Sequence, residues 1–182
     1  MNETMVRVMD AAESGIRLRG YHAVSFRELA DELGIKSSSV HYYFRQKEDM
    51  GVALVKRYSD RFFADLKEKT AGARTPEDRL RAFCNAYRDA LIQSDKICLC
   101  GMLGTESCGL PVVLADAVAA FFEANLAWVG DALPIELDPA ERRARAAQVL
   151  ATLQGAMMIA TSLKNHALFD DVSRSLLACH SK

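Results

Sequence analysis

The sequence has few of the residues that favour turns, with only 10 glycines and 4 prolines among its 182 residues. An all-β sandwich needs frequent turn signals, and collagen-like or low-complexity chains are rich in glycine or proline, so these classes are excluded. Aromatic residues make up only 8% of the chain, but 50% of its residues are hydrophobic, which is too many for a disordered protein. We expect one large or two small globular domains, since a domain usually holds about 100–200 residues.

The chain also has almost no net charge, because its 23 Lys and Arg residues nearly balance its 24 Asp and Glu residues. Any site for nucleic acid must therefore be a local patch. No basic segment followed by an apolar core appears near Met1, so we expect no signal peptide and a cytoplasmic location. The most apolar stretch, residues 110–133, is interrupted by Asp116, Glu123 and Asp131 and predicts a buried helix of a soluble protein.

The apolar residues recur at helical spacing along the whole chain. In the first segment, Met5, Met9, Ala12 and Ile16 follow one another at gaps of three and four. No segment shows the alternating pattern of a strand. The pattern predicts an all-α protein of roughly nine helices. We divide it into a small N-terminal domain, residues 1–47, and a larger helical bundle, residues 48–182.

Three helix starts are predicted from residues that suit the N-cap. Ser25 is placed to accept a hydrogen bond from an orphan backbone N–H, and Glu28 completes a capping box. Thr75 is followed by a proline at the first helical position, where the missing N–H costs nothing. Between these two helices, Ser37 or Ser38 is predicted to cap another short helix.

Residues 25–47 have the spacing of a helix-turn-helix, two short helices joined by a tight turn. Ala30 is small enough for the second helix to cross close over the first, Gly34 suits a turn with positive φ, and Val40 is placed to pack between the helices. The second helix offers hydrogen-bonding groups suited to a major groove, and residues 36–47 contain three cations and no acid. Many helical cores share this spacing, so the pattern favours DNA binding without requiring it.

A close resemblance to the TetR family of repressors lies between Phe26 and Asp49, which read FRELADELGIKSSSVHYYFRQKED. The YF-x-x-KE ending is highly specific in this context, and the resemblance extends over residues 5–52. It implies a three-helix DNA-binding domain joined to an all-α ligand-binding and dimerisation domain. It also implies a transcriptional repressor that a small-molecule effector or cysteine modification releases from double-stranded operator DNA. We expect no catalytic residue, cofactor or metal.

The resemblance also implies contacts to DNA at particular positions. It places Ser25 against a phosphate and Ser37 and Ser38 at base edges. Four further residues fall at or beside phosphate-contacting positions: His41, Tyr42, Tyr43 and Lys47. Tyrosine is usual at the position of His41. We hypothesise that DNA binding weakens as the imidazole loses its proton with rising pH, which an unchanged pH profile in a His41→Gln protein would contradict. The predicted DNA-binding residues are Ser25, Arg27, Lys36, Ser37, Ser38, Ser39, His41, Tyr42, Tyr43 and Lys47.

The family resemblance further implies a two-fold dimer, because one helix-turn-helix reads only a half-site. The two recognition helices of such a dimer lie about 34–36 Å apart, or a multiple of that distance. The last two helices, predicted at 139–164 and 171–179, would form a four-helix bundle between subunits. An apolar stripe on the first of them could face the partner or the protein's own core, and the pattern leaves both open: Leu150, Leu153, Met157 and Ala160.

Three of the five cysteines, Cys98, Cys100 and Cys108, cluster where the family holds its effector. An odd cysteine count with no secretory signal predicts reduced thiols. The C-x-C-x7-C spacing, with no histidine nearby, is a poor match to zinc sites. A buried structural role is the ordinary one for free cysteine. A sensor of electrophiles or oxidants is the third interpretation, because alkylation or oxidation of a thiol near a pocket would move packed helices.

The segment CLCGMLGTE, residues 98–106, resembles the branch of the family that senses N-ethylmaleimide, quinones and reactive aldehydes, with Cys98 at the sensing position. An α,β-unsaturated acid is an alternative effector that would also suit a thiol. Cys84 and Cys179 lie on helical stripes and are predicted to pack in the core. The alternative function is a cysteine-dependent enzyme acting on small electrophiles, with Cys98 as nucleophile and His166 as base.

Overall fold

The computed structural model describes residues 2–93, 95–134 and 136–180, and these residues form helices without any strand. The all-α prediction is therefore confirmed. By internal packing the chain divides into two compact units. The first unit comprises Met1–Ser59 and Leu99–Phe121, and the second comprises Asp60–Cys98 and Phe122–Lys182.

Nine α-helices and one turn of 3₁₀ helix follow one another along the described residues. The helices are α1 Glu3–Arg19, α2 Phe26–Leu33, α3 Ser37–Tyr43, α4 Lys47–Lys69, α5 Pro76–Ile92, α6 Leu99–Thr105, α7 Val112–Ala132, α8 Pro139–Ser162 and α9 His166–His180, with the 3₁₀ turn at Ser107–Gly109.

In the first unit, α1 packs against α2, α3 and α6. Three residues of the predicted stripe, Met9, Ala12 and Ile16, are buried, whereas Met5 is half-buried, and Val8 completes the buried face. Arg57 of α4 forms ion pairs with the polar edge of α1. Its guanidinium donates to Asp10 Oδ1 at 2.7 Å and to Glu13 Oε2 at 2.8 Å.

The second unit is built around α5, α8 and α9, which pack on one another. Its centre is aromatic: the Phe83 ring stacks on Trp128 with centroids 5.3 Å apart, and Tyr87 lies 5.1 Å away from Phe83. A buried polar contact lies beside these rings, where the Tyr87 hydroxyl meets Asn125 Oδ1 at 3.1 Å. Satisfying a buried amide in this way avoids the cost of an unpaired polar group.

The predicted capped start of α5 is confirmed. The Thr75 hydroxyl accepts from the Asp78 N–H at 3.0 Å, and the Asp78 carboxylate accepts from the Thr75 N–H at 3.1 Å. The start of α8 is confirmed as well, since Asp138 Oδ1 accepts from the Ala140 and Glu141 N–H groups.

Two helices differ from the prediction. The sequence pattern places no helix in residues 98–109, but the structure forms α6 there. Its Leu99, Cys100 and Leu103 are fully buried on one face. The last helix begins at His166, five residues before the predicted start at 171. The turn that precedes it is made by Lys164 at φ 51°, a conformation that a glycine would have signalled in the sequence.

The α7 helix is long and apolar enough to cross a membrane by length and composition alone. Core helices of soluble proteins pass the same test. In the second unit, Glu123 of α7 pairs with Arg143 of α8 at 2.8 Å, and Asn125 is fully buried. These contacts are those of a helix packed in a bundle.

Candidate nucleic-acid interface

The α2 helix is fixed at its start by the predicted capping box. The Ser25 hydroxyl accepts from the Glu28 N–H at 3.2 Å, while Glu28 Oε2 accepts from the Ser25 N–H and hydroxyl, each at 2.9 Å. This hydrogen bond from the hydroxyl lowers the pKa of the Glu28 carboxyl below its ordinary value. A phosphate contact by Ser25 would have to share a hydroxyl that already caps the helix.

The turn after α2 depends on Gly34, which adopts φ 65° and ψ 33°. A Cβ at this position would meet no atom within 4 Å, so the left-handed conformation and not space selects glycine. The Ile35 N–H then donates to the Ala30 carbonyl at 3.0 Å and ends the helix. Ala30 is buried and Val40 is fully buried, as the helix-turn-helix spacing predicts.

The α3 helix exposes four of its seven residues, Ser37, Ser38, His41 and Tyr42. Val40 is its one buried residue, and the Tyr42 ring is 84% exposed. The N-cap is Lys36, which makes no side-chain hydrogen bond, so the prediction that Ser37 or Ser38 caps the helix is wrong. Both serines instead lie inside the first turn, with their hydroxyls in solvent.

The remaining predicted contacts surround α3. His41 is exposed and meets the edge of the Phe26 ring, with centroids 4.9 Å apart, so α2 orients the imidazole. The Tyr43 ring lies edge-on to Tyr42 at 5.2 Å. The structure thus brings nearly all of the predicted residues onto or beside one helix. Lys36, Ser37, Ser38 and Arg27 are exposed, whereas Ser39 and Tyr43 are half-buried.

Lys47 differs from the other predicted contacts because its ammonium is held against the loop between α1 and α2. Its Nζ lies 4.2 Å from the centroid of the Tyr21 ring and donates to the His22 carbonyl at 3.4 Å. Burial lowers the pKa of this lysine, opposed by the charges of Glu106 and Glu28. Its role at a phosphate stays a prediction.

Sequence reasoning missed Glu106, which fixes the same loop. Its Oε2 accepts from the Tyr21 N–H at 2.7 Å. The neighbouring Gly20 has φ 86°, and a Cβ there would overlap the Glu106 carboxylate. Glycine is therefore required at this position by both conformation and space. No signal in the sequence connects Gly20 to a residue so far along the chain.

Comparisons with known proteins agree with this geometry. A sequence profile of bacterial regulatory proteins of the tetR family matches residues 8–54. The transcriptional regulator AcuR of Cereibacter sphaeroides is 33% identical over 97 residues, 51% of this chain and 44% of that protein. The transcriptional repressor KstR2 of Mycobacterium tuberculosis is 28% identical over 91 residues, 50% of this chain and 46% of that protein.

A crystal structure of a TetR transcriptional regulator from Legionella pneumophila matches 97% of this chain and 96% of that one, with 26% identity and a TM-score of 0.89. Residues 8–54 thus match the tetR family of bacterial regulatory proteins, and the chain has the fold of a TetR transcriptional regulator. The matches to the curated relatives span less than half of their lengths.

The predicted sensing cysteines lie in different surroundings. Cys98 and Cys100 are fully buried, whereas Cys108 is exposed. Burial raises the pKa of the Cys84 thiol, as suits a packing residue, but Cys179 is exposed and its predicted core position is wrong. Among the described residues, no group of three or more His, Cys, Asp or Glu side chains is placed to hold a metal ion.

The enzyme alternative is not favoured by the geometry. Cys98 is closed off from solvent, and a nucleophile must be reachable by its substrate. The proposed base, His166, lies at the surface with its Nε2 2.8 Å from Asp95 Oδ1.

The apolar stripe on α8 faces the core of the second unit, which decides between the two alternatives left open by the pattern. Its four residues, Leu150, Leu153, Met157 and Ala160, are all buried. A different set of large apolar side chains is exposed on and just after α8: Met158, Ile159 and Leu163.

Proposed function

We propose that this protein is a homodimeric transcriptional repressor that inserts α3 into the major groove of a palindromic operator. The exposed face of α3 carries the proposal. Its only buried side chain is Val40, while its surface offers serine hydroxyls, an imidazole and an exposed Tyr42 ring. Groups of this kind suit base edges and phosphates, and no acid lies within residues 36–47.

The predicted contacts divide by role in this proposal. Lys36, the serines that follow it and Tyr42 read bases, because they lie on the N-terminal and outer part of the recognition helix. Phosphate contacts supply affinity and salt dependence but little sequence information. Those contacts are assigned to Ser25, Arg27, His41, Tyr43 and Lys47.

The proposed dimer forms through the outer face of α8 and α9. An open groove of about 630 Å³ runs between these helices and is lined from both of them. Exposed Ile159 and Leu163 supply apolar surface, and Thr152 and Val172 in the groove add small side chains that let a partner approach. Pairing two copies here would give the half-site spacing that a palindrome requires.

The second unit is proposed to bind a small-molecule effector of unknown identity that releases the DNA. Such control needs different affinities of the effector for the two arrangements of the dimer, commonly about 1–3 kcal/mol. Modification of Cys98, Cys100 or Cys108 remains a proposed second route. We place the protein in the cytoplasm and assign it no enzyme activity, in keeping with the regulators that it resembles.

The decisive experiment is fluorescence anisotropy with labelled DNA from either side of the protein's own coding region. Wild type should bind one such fragment, and Tyr42→Ala should bind roughly tenfold more weakly, about 1.4 kcal/mol. Leu18→Ala, which removes an exposed side chain of α1, is the matched control and should bind normally. A protein that binds no fragment, or a Tyr42→Ala protein that binds like wild type, would overturn the assignment of α3.

The dimer and the thiol route need separate measurements. Ile159→Glu should give a monomer by sedimentation equilibrium, whereas Val113→Glu, at a comparably exposed valine of α7, should stay dimeric. N-ethylmaleimide should release DNA from wild type and not from Cys98→Ser if Cys98 is the sensor. Release that depends on Cys108 alone would move the sensor there, and no release would discard the thiol route.

A further inference from the structure

An open pocket of about 350 Å³ lies where the first turn of α1 meets α3. Every side chain that lines this hydroxyl pocket carries a hydroxyl group, and no acid, amide or aliphatic side chain contributes to it. In the part of the chain that the structure describes, none of these hydroxyls forms a hydrogen bond with another residue. The lining residues are Thr4, Ser38, Ser39, Tyr42 and Tyr43.

The shape of the hydroxyl pocket selects the kind of group that it receives. Base edges lie at the floor of a groove and are reached by side chains that protrude, as Ser37 does at the start of α3. A recess in the protein receives a group that protrudes from the duplex, and in DNA that group is the backbone phosphate. Serine, threonine and tyrosine hydroxyls commonly donate to phosphate oxygens.

We propose that the hydroxyl pocket binds one phosphate of the DNA backbone through the hydroxyls of Thr4 and Tyr43, and that Thr4 of α1 is a DNA-contacting residue. The other lining residues, Ser38, Ser39 and Tyr42, form the side of the pocket from which bases are read. The proposal rests on the DNA binding proposed above and adds a third helix to the interface. Thr4 is half-buried at the rim of α3, where its hydroxyl has no hydrogen-bond partner among the described residues. Glu3, the acidic neighbour in the same turn, does not line the pocket.

Thr4→Val tests the contact because it removes the hydroxyl and keeps the shape of the side chain. Operator affinity should fall about 5- to 50-fold for a dimer that loses one hydrogen bond per subunit. The slope of log affinity against log salt should not change, because the slope reports charges neutralised and threonine has none. Thr4→Ser should restore binding, and Thr105→Val, which removes an exposed hydroxyl of α6, should bind normally.

Methylphosphonate substitution identifies the phosphate that the pocket binds. Each phosphate of the operator is replaced in turn by the uncharged analogue, and the loss of affinity is compared for wild type and Thr4→Val. At one position per half-site the two losses should not add, because both remove the same contact. Additive losses at every position, or a Thr4→Val protein with native affinity, would overturn the proposal.

Two further outcomes distinguish this proposal from a site for free phosphate and from failure of the proposed function. Exchange of chloride for inorganic phosphate at constant ionic strength should release wild type and Thr4→Val equally. Preferential release of wild type would show a site for free phosphate and overturn the assignment to DNA. Failure of wild type to bind any fragment would instead overturn the proposed function, whereas normal binding by Thr4→Val would overturn only the pocket.

Discussion

The two helices of the helix-turn-helix have almost the same length but are held in opposite ways. The eight residues of α2 begin with a complete capping box and bury three side chains, Phe26, Leu29 and Ala30. The seven residues of α3 begin at Lys36 without a side-chain cap and bury only Val40. Helices this short do not persist alone in water, so each depends on its surroundings.

This difference separates anchoring from recognition. The three buried side chains of α2 and its capping box stabilise the motif. In α3 one buried side chain and the tight turn at Gly34 position the helix, which leaves its exposed residues available for the proposed contact with DNA. Changes in α2 should therefore act on stability, and changes on the surface of α3 should act on binding.

The largest expected effect comes from the buried face of α2. Leu29→Ala removes a side chain that is only 1% exposed and should lower the free energy of unfolding by about 2–5 kcal/mol. Urea unfolding followed by circular dichroism measures the loss. Leu18→Ala, at an exposed leucine of α1, should change stability by less than about 0.5 kcal/mol. Equal effects of the two substitutions would show that α2 does not anchor the motif.

A smaller loss is expected from the cap of α2. Ser25→Ala should cost about 1 kcal/mol, because the Glu28 N–H loses its acceptor. The Ser25 hydroxyl holds the pKa of Glu28 below its ordinary 4.5, so the ionised carboxylate contributes fully above pH 4.5 and its contribution is lost as the pH falls further. The difference in stability between wild type and Ser25→Ala should therefore become smaller in acid, where the bond from the Glu28 N–H to the Ser25 hydroxyl remains. A constant difference at all pH values would exclude Glu28 from the cap.

The elements that the sequence predicted well are those with local chemical signals. The capping box at Ser25 and the N-cap at Thr75 both occur as predicted, and the structure adds a box between Thr75 and Asp78. The α6 helix has no such signal, since Gly101 and Gly104 weaken its intrinsic preference for a helix. Burial of Leu103 and its neighbours outweighs that preference, and burial depends on distant residues.

The same distinction applies to the candidate site. The residues of the recognition helix could be predicted because they are contiguous in the sequence. Glu106, Thr4 and the burial of Cys98 could not, because each depends on which distant segments pack together. Contacts of α1 and α6 with the motif are long-range, and periodicity carries no information about them.

Because α3 starts without a side-chain cap, one substitution there should raise the stability of the protein and weaken DNA binding. Lys36 has φ −74° and ψ 142°, which already suits an N-cap, so Lys36→Ser should stabilise the protein by about 0.5–1 kcal/mol. The same change should weaken DNA binding and its salt dependence, because one cation is lost per subunit. Lys36→Ala is the matched control, since it loses the charge without gaining a cap. Equal stability of the two variants would mean that the serine does not cap α3.

The smallest effect on stability is expected on the surface of α3, where the effect on recognition should be clear. Ser38→Ala removes an exposed hydroxyl without a protein partner, so the unfolding free energy should change by less than about 0.5 kcal/mol. Discrimination between the operator and single-base variants should fall by about 1 kcal/mol at one position of each half-site. Ser107→Ala, at an exposed serine of the 3₁₀ turn, should change neither quantity. If Ser38→Ala lowered affinity equally for all sequences, the hydroxyl would contact phosphate alone, and sequence reading would rest on Ser37, Ser39 and Tyr42.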